Sequence, residues 1–193
     1  MTTNNDQYYI NKIIEGNSNL FSVLVERYKD LVFTLALRMT KNREEAEEVA
    51  QDTFIKIYKY LPKFKGDSKF STWVYRIAYN TCLDNIKKNK RKQNTVSIDE
   101  FTTQQVKTVD TALDKMEIKE RNEAIKMCIA KLPSEDSFLL TLYYFKEHSL
   151  QEIAEIVNSN ANTIKVKLFR SRKKLATILK QHLESDIINS YGR

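Results

Sequence analysis

Residues 63–92 read KFKGDSKFSTWVYRIAYNTCLDNIKKNKRK. Gly66 and Asp67 mark a loop over 63–68, and a helix is expected from about Phe70. On that helix Trp73, Ile77, Asn80–Thr81 and Asp84 fall on successive turns. Phe64, Phe70, Trp73, Tyr75 and Tyr79 alternate with Lys63, Lys65, Lys69, Arg76, Lys87, Lys88, Lys90, Arg91 and Lys92. Rings interleaved with cations suit single-stranded nucleic acid, because unpaired bases stack on aromatic faces while phosphates pair with Lys and Arg. The plain alternative is a core helix with a solvated basic end. Asn80 is a poor helix former in mid-helix. Its amide, next to aromatics, suits reading a base edge, although a solvated Asn is the commoner case.

Outward from this stretch, the whole chain reads as helix. It has 193 residues with only 3 Gly and 2 Pro, too few turn formers for a strand-rich fold. From Tyr9 to Thr40, Ile10, Ile13 and Ile14, then Leu20, Phe21, Leu24, Val25, Tyr28, Leu31, Val32, Leu35, Ala36 and Met39, recur at helical steps, with Gly16-Asn17-Ser18 separating a short helix from a longer one. Asn42 followed by Glu45 reads as a capping box. The helix after it runs to Leu61, where Pro62 stops it. Its inward face is Ala46, Val49, Ala50, Thr53, Phe54, Ile57 and Leu61; Glu44, Glu45, Glu47, Glu48, Gln51 and Asp52 lie on the other faces. Acids in the first turns are explained by the helix dipole alone. In a chain of net charge +7 they also offer a docking face for a basic protein.

Residues 93–114 have no sustained period and are rich in Thr, Gln, Val and Asp, as expected of a flexible linker. A helix from near Lys115 to Leu132 follows, stopped by Pro133; Ser134 is expected to cap the next, with Glu135 and Asp136 in its first turn. Then Ser149-Leu150-Gln151-Glu152 forms a second capping box, opening a short helix QEIAEIV. A turn at Asn158-Ser159-Asn160 and a last helix from near Ala161 complete helix-turn-helix spacing. Between 161 and 183 there are seven basic residues (Lys165, Lys167, Arg170, Arg172, Lys173, Lys174, Lys180) and no acid, so a phosphate backbone is the expected counter-charge. The inner face of that helix is Ile164, Leu168, Leu175 and Ile178. The reading is all-α: two small helical domains, 1–92 and 115–193, joined by the linker 93–114.

These segments together resemble the extracytoplasmic-function (ECF) family of RNA polymerase sigma factors. EEAEEVAQDTF resembles the family's polymerase-docking helix, and FKGDSKFSTWVYRIAYNTCLD its promoter-melting segment. LPSEDSFLLTLYYF, SLQEIAEIV and NTIKVKLFRSRKKL resemble its second DNA-binding domain. The resemblance implies that Glu47, Glu48, Gln51 and Asp52 bind the clamp helices of the polymerase's largest subunit, with a further contact to the flap of the second largest. It implies that Phe64, Ser68, Phe70, Trp73 and Asn80 capture a flipped base of the minus-ten element, while Arg76, Lys87 and Arg91 contact its phosphates. Lys165, Val166, Phe169 and Arg170 would read the minus-thirty-five element in the major groove, with Asn162 and Thr163 near the backbone. Control by an anti-sigma factor, often membrane-bound, is implied as well. Where the family usually has Gly and an apolar residue in the helix-turn-helix turn, this chain has Asn158 and Ser159. Asn is expected to hold the left-handed geometry at some cost, and Ser159 to loosen the docking of the recognition helix.

No chemistry of bond making is expected. Cys82, Cys128, His148 and His182 match no metal spacing, and the acids sit on capped helix starts, so no metal, cofactor, small-molecule substrate or nuclease site is read. A stand-alone helix-turn-helix regulator would explain residues 132–183 but leave 44–92 without a purpose. The start MTTNNDQYYI does not read as a signal peptide and no run nears the ~20 apolar residues of a membrane span, so a cytoplasmic protein is expected.

Overall fold

A computed structural model describes residues 3–92 and 118–191, with side chains over 6–89 and 122–182. Among the described residues the secondary structure is helical, without strands. The helices are α1 (Thr3–Ile14), α2 (Phe21–Thr40), α3 (Arg43–Tyr60), α4 (Phe70–Lys92), α5 (Ile118–Lys131), α6 (Ser134–Phe145), α7 (Leu150–Ile156) and α8 (Ala161–Tyr191), with 3₁₀ turns at Ser18–Leu20 and Leu61–Lys63. The chain divides into two compact units: α1–α4 group with residues 151–160, and α5, α6 and α8 form the other. The linker expected at 93–114, and the helix start expected at 115, lie outside the described residues.

In the first unit α2, α3 and α4 pack on one another and α1 packs on α2. Leu24, Val32, Leu35 and Ala36 of α2 meet a core shared with Ala46, Val49, Thr53 and Ile57 of α3 and Val74, Ala78 and Cys82 of α4, all buried. Truncating one of the larger of these, such as Ile57→Ala, removes packed methylenes and costs about 2–5 kcal/mol. α1 begins six residues before the expected start. It is tied to α2 by Asp6, which is buried, pairs with Arg27 and accepts a hydrogen bond of 2.6 Å from Tyr28 Oη. Burial, with Asp6 alongside, holds the Tyr28 phenol proton on far above its ordinary range.

Helix ends are closed with few glycines. α1 ends on Gly16 at φ +112°, with the Asn17 amide reaching Lys12 O at 3.0 Å and the Gly16 amide reaching Ile13 O at 3.1 Å. α2 ends on Lys41 at φ +56°, its amide bonded to Leu37 O. These left-handed residues satisfy carbonyls that the last turn leaves without partners. At the start of α3, Asn42 Oδ1 accepts the Glu45 amide at 3.0 Å, as the capping pattern predicts. The reciprocal arm differs from the expected box: the Asn42 amide is 3.4 Å from Thr40 Oγ1. Pro62 stops α3 one residue earlier than expected and sits in the following 3₁₀ turn, where its missing N–H costs nothing.

In the second unit α8 packs against α5 and α6, and α5 against α6. Ala124, Cys128, Ile129, Phe138, Leu139, Leu142, Ile164, Leu168 and Ile178 are buried. Ser134 is the first residue of α6 and not its cap. Pro133, extended at ψ 144°, holds the capping position, and its carbonyl accepts the Ser137 amide at 3.0 Å. Proline suits that place because it has no amide proton to leave unpaired.

Candidate nucleic-acid interface

α4 divides its residues between two faces. Val74, Tyr75, Ala78, Tyr79 and Cys82 are buried, with Thr72 and Thr81 beside them. Arg76, Asn80, Asp84 and Lys87 are exposed and Trp73 is half-buried. The positions 73, 76, 80, 84 and 87 advance by three or four and so make one stripe along the helix. Asp84 does not point its charge freely along this stripe: it pairs with Lys56 of α3 at 3.5 Å. Arg91 lies on α4 beyond the described side chains.

Of the five aromatics read as a stacking set, Tyr75 (5% exposed) and Tyr79 (4%) belong to the core. They sit four residues apart on the inward face with Val74 and Ala78, so they offer no ring to a ligand. Burial pushes the Tyr75 phenol up to about 12, and the Cys82 thiol likewise up to about 12. Phe70 is also buried, at 5% exposure, a departure from its expected place at the base. It stacks on Trp73 with centroids 5.5 Å apart and meets Phe64 edge-on at 5.2 Å and Tyr28 at 5.4 Å. Phe64 lies 5.3 Å from Trp73. Phe64, Ser68 and Trp73 are half-exposed, so the surface of this cluster is a Phe64–Trp73 platform carried on Phe70. Gly66, at φ +80°, turns the loop that brings Phe64 back to α4. Exposed Lys63, Lys65 and Lys69 surround the loop.

On α3, Glu47, Glu48, Gln51 and Asp52 are exposed together. Arg43 Nε contacts Glu47 at 3.1 Å, one turn along the same helix. The stripe from Glu48 through Asp52 continues into Ile55, which is 65% exposed and escaped the sequence reading. Its signal was the i, i+4, i+7 spacing from Glu48.

Before α8, Asn158 has φ +51°, as expected of a residue standing for Gly. The Ser159 amide bonds Ala154 O at 2.8 Å and the Asn158 amide bonds Glu155 O at 3.4 Å. This is the double closure of a Schellman motif, and the exposed Ser159 omits the apolar contact that usually accompanies it.

α8 itself presents Asn162, Lys165, Val166, Phe169, Arg170 and Lys173 as one exposed stripe, with Thr163 half-buried at its edge. Ile164, Leu168 and Ile178 are buried as expected, Leu175 is half-buried, and Ser171, which the reading passed over, is fully buried. The expectation that α8 needs phosphate to balance its charge is corrected in part. Lys167 pairs with Glu135 at 2.6 Å, Lys174 with Asp136 at 2.7 Å, and Ser171 Oγ lies 2.5 Å from Asp136 Oδ1. Glu135 and Asp136 thus serve both the α6 dipole and α8. Arg172 reaches Tyr144 Oη at 3.3 Å. Lys173 Nζ sits 4.8 Å from the Phe169 ring centre.

The sequence matches two family models, Sigma-70 region 2 over residues 24–92 and Sigma-70 region 4 over 122–175. It is 34% identical over 172 residues to the ECF RNA polymerase sigma factor SigW of Bacillus subtilis, covering 86% of this chain and 92% of that one. It is 30% identical over 182 residues to the RNA polymerase sigma-H factor of Pseudomonas aeruginosa, covering 91% and 94%. In fold it is similar to the sigma factor RpoE crystallised with the anti-sigma factor NepR from Bartonella quintana, with TM-score 0.59, 20% identity, and coverage of 83% and 96%. The chain belongs to the ECF family of RNA polymerase sigma factors, transcription initiation factors that bind core polymerase and direct it to promoters.

Proposed function

We propose that the three exposed stripes divide the work of initiation. On α3, Glu47, Glu48, Gln51 and Asp52 dock on the clamp helices of core polymerase, and region 4 contacts the flap. Phe64, Ser68, Trp73 and Asn80 receive a flipped base of the minus-ten element, Phe70 supporting them from below, while Arg76, Lys87 and Arg91 hold its phosphates. On α8, Lys165, Val166, Phe169 and Arg170 read the minus-thirty-five element, with Asn162 and Thr163 near the backbone. The observation that carries this reading is the half-exposed Phe64–Trp73 platform, beside exposed Arg76 and Asn80 on one stripe of α4. Stacking on such a platform offsets the few kcal/mol that unstacking a base costs. Trapping bases is a binding role without a bond-making step, so the protein is no enzyme.

The domain division that accompanies this role is 1–92, linker 93–114 and 115–193. The unbroken family match over 122–175 supports assigning α7 to the second domain, although residues 151–160 group with the first unit by compactness. The similar sigma factor RpoE, solved in complex with the anti-sigma factor NepR, supports control of this chain by such a partner. No described helix is long and apolar enough to cross a membrane; the cytoplasm is the proposed location, with membrane tethering supplied by an anti-sigma factor.

Run-off transcription tests the proposal: bacterial core polymerase and genomic promoter fragments, with and without the protein. Defined transcripts only when both are present are expected. Sequence-specific retention of duplex by the protein alone, without transcripts, would replace this reading with a stand-alone regulator.

A further inference from the structure

Two apolar side chains stand in the middle of the cationic stripe of α8. Val166 is 48% exposed and Phe169 53% exposed. Exposed Lys165 and Arg170 flank them, and the Lys173 ammonium lies over the Phe169 ring at 4.8 Å. The apolar groups that α8 needs for packing are elsewhere, in Ile164, Leu168 and Ile178. Val166 and Phe169 therefore lie outside the buried core of the second unit. A phosphate gives an isopropyl or phenyl group nothing to bond. Of the groups on the floor of the major groove, the thymine C5-methyl is the one that an apolar side chain recognises.

We infer that Val166 and Phe169 form a methyl-reading pair, so that the minus-thirty-five element carries thymine, on either strand, at the two positions they face. This deepens the DNA-reading role proposed for α8 and rests on it. The two residues are three apart, a rise of about 4.5 Å along the helix. The step between base pairs is about 3.4 Å, so the pair spans neighbouring base pairs. Lys173 holds the Phe169 ring by cation–π attraction, which limits its swing and fixes which methyl it meets. Lys165 and Arg170 supply hydrogen bonds and phosphate pairing on either side. Selection at the centre of the element is thus by shape and burial.

The test uses holoenzyme and a promoter found by run-off transcription, synthesised with deoxyuridine replacing thymidine through the minus-thirty-five segment alone. Uracil pairs as thymine does and lacks only the methyl. Holoenzyme with the native chain is expected to lose roughly fourfold in affinity for each methyl read. Holoenzyme carrying Val166→Ala with Phe169→Ala should bind more weakly and treat thymine and uracil alike. Both side chains are exposed, and a thermal melt of the variant verifies its fold. Equal binding of the two DNAs by native holoenzyme would overturn the inference, and so would undiminished discrimination by the double variant. Absence of transcripts from every promoter, with no sequence-specific retention of duplex by the protein, would instead overturn the DNA-reading role itself, and this inference with it.

Discussion

Phe70 and Trp73 stack with ring centroids 5.5 Å apart and planes 27° from parallel, one ring buried and the other half-exposed. Neighbours on the same helix turn thus have different duties. Phe70→Ala should cost about 3–5 kcal/mol of stability and lose promoter opening as a consequence. Trp73→Ala should leave the melting temperature within a few degrees of native while lowering opening about five-fold or more, as expected of a stacking contact worth about 1–3 kcal/mol. Permanganate reactivity of unpaired thymines, read beside thermal melts, separates the two. A Trp73→Ala variant that opens DNA normally would remove the platform from the mechanism.

The ion pairs of α8 make a prediction about salt. Lys165→Ala and Arg170→Ala should each reduce the slope of log K against log salt for holoenzyme binding by about 0.9. Lys167→Ala and Lys174→Ala should change it far less, since Glu135 and Asp136 already hold those ammonium groups. Four equal changes in slope would show that the acids release their partners to DNA.

Docking through α3 should respond to charge. Glu48→Lys with Asp52→Lys reverses two exposed acids, without disturbing the buried face of Val49, Thr53 and Ile57. Binding to core polymerase should weaken at least ten-fold, with the effect shrinking at high salt. The helical circular dichroism should stay unchanged.

Left-handed helix ends predict a stabilising change. Lys41 at φ +56° bears a Cβ strain of about 1–2 kcal/mol. Lys41→Gly relieves it, but adds about 0.5–1 kcal/mol of unfolded-state entropy. A net gain of about 0.5–1 kcal/mol is expected by denaturant titration. Asn158→Gly should gain less, because Asn visits this geometry more readily.

Alkaline pH should weaken the first unit. The thiol of Cys82 and the phenol of Tyr75 are each raised to about 12 by burial, above ordinary values of 9.0 and 10.0. Above those ordinary values the unfolded chain has shed protons that the folded chain retains, so stability falls as pH rises. The decline should begin near pH 9 through Cys82 and steepen past 10 through Tyr75 and Tyr28. Cys82→Ala should flatten its first part in melts taken from pH 8 to 11. A native protein with a level profile over that range would contradict this account of the core.

Helical periodicity carried most of the fold in the sequence. Leu24, Val32, Ala36, Val49, Ile57, Ile164 and Leu168 all repeat at the steps that bury them. The residues misjudged were those whose surroundings come from other helices. Tyr75 and Tyr79 look like stacking rings until α2 and α3 cover that face of α4. Asp6 and Tyr28 are 22 positions apart, and no local pattern announces their hydrogen bond. Ser171 had a legible clue: it falls three residues after Leu168 and seven after Ile164, inside the apolar stripe. The candidate stripe on α4 was legible because Trp73, Arg76, Asn80 and Lys87 share one helical spacing. Which of these rings are buried and which are exposed was not legible, as buried Phe70 beneath half-exposed Trp73 illustrates.

Asp136 joins Ser171 and Lys174 of α8 to the first turn of α6. A chromosome presents a vast excess of irrelevant phosphate, and every free cation lengthens the time a DNA reader lingers there. Asp136 engages Lys174 and Glu135 engages Lys167, so these two cations are expected to add less to that lingering than unpaired ones would.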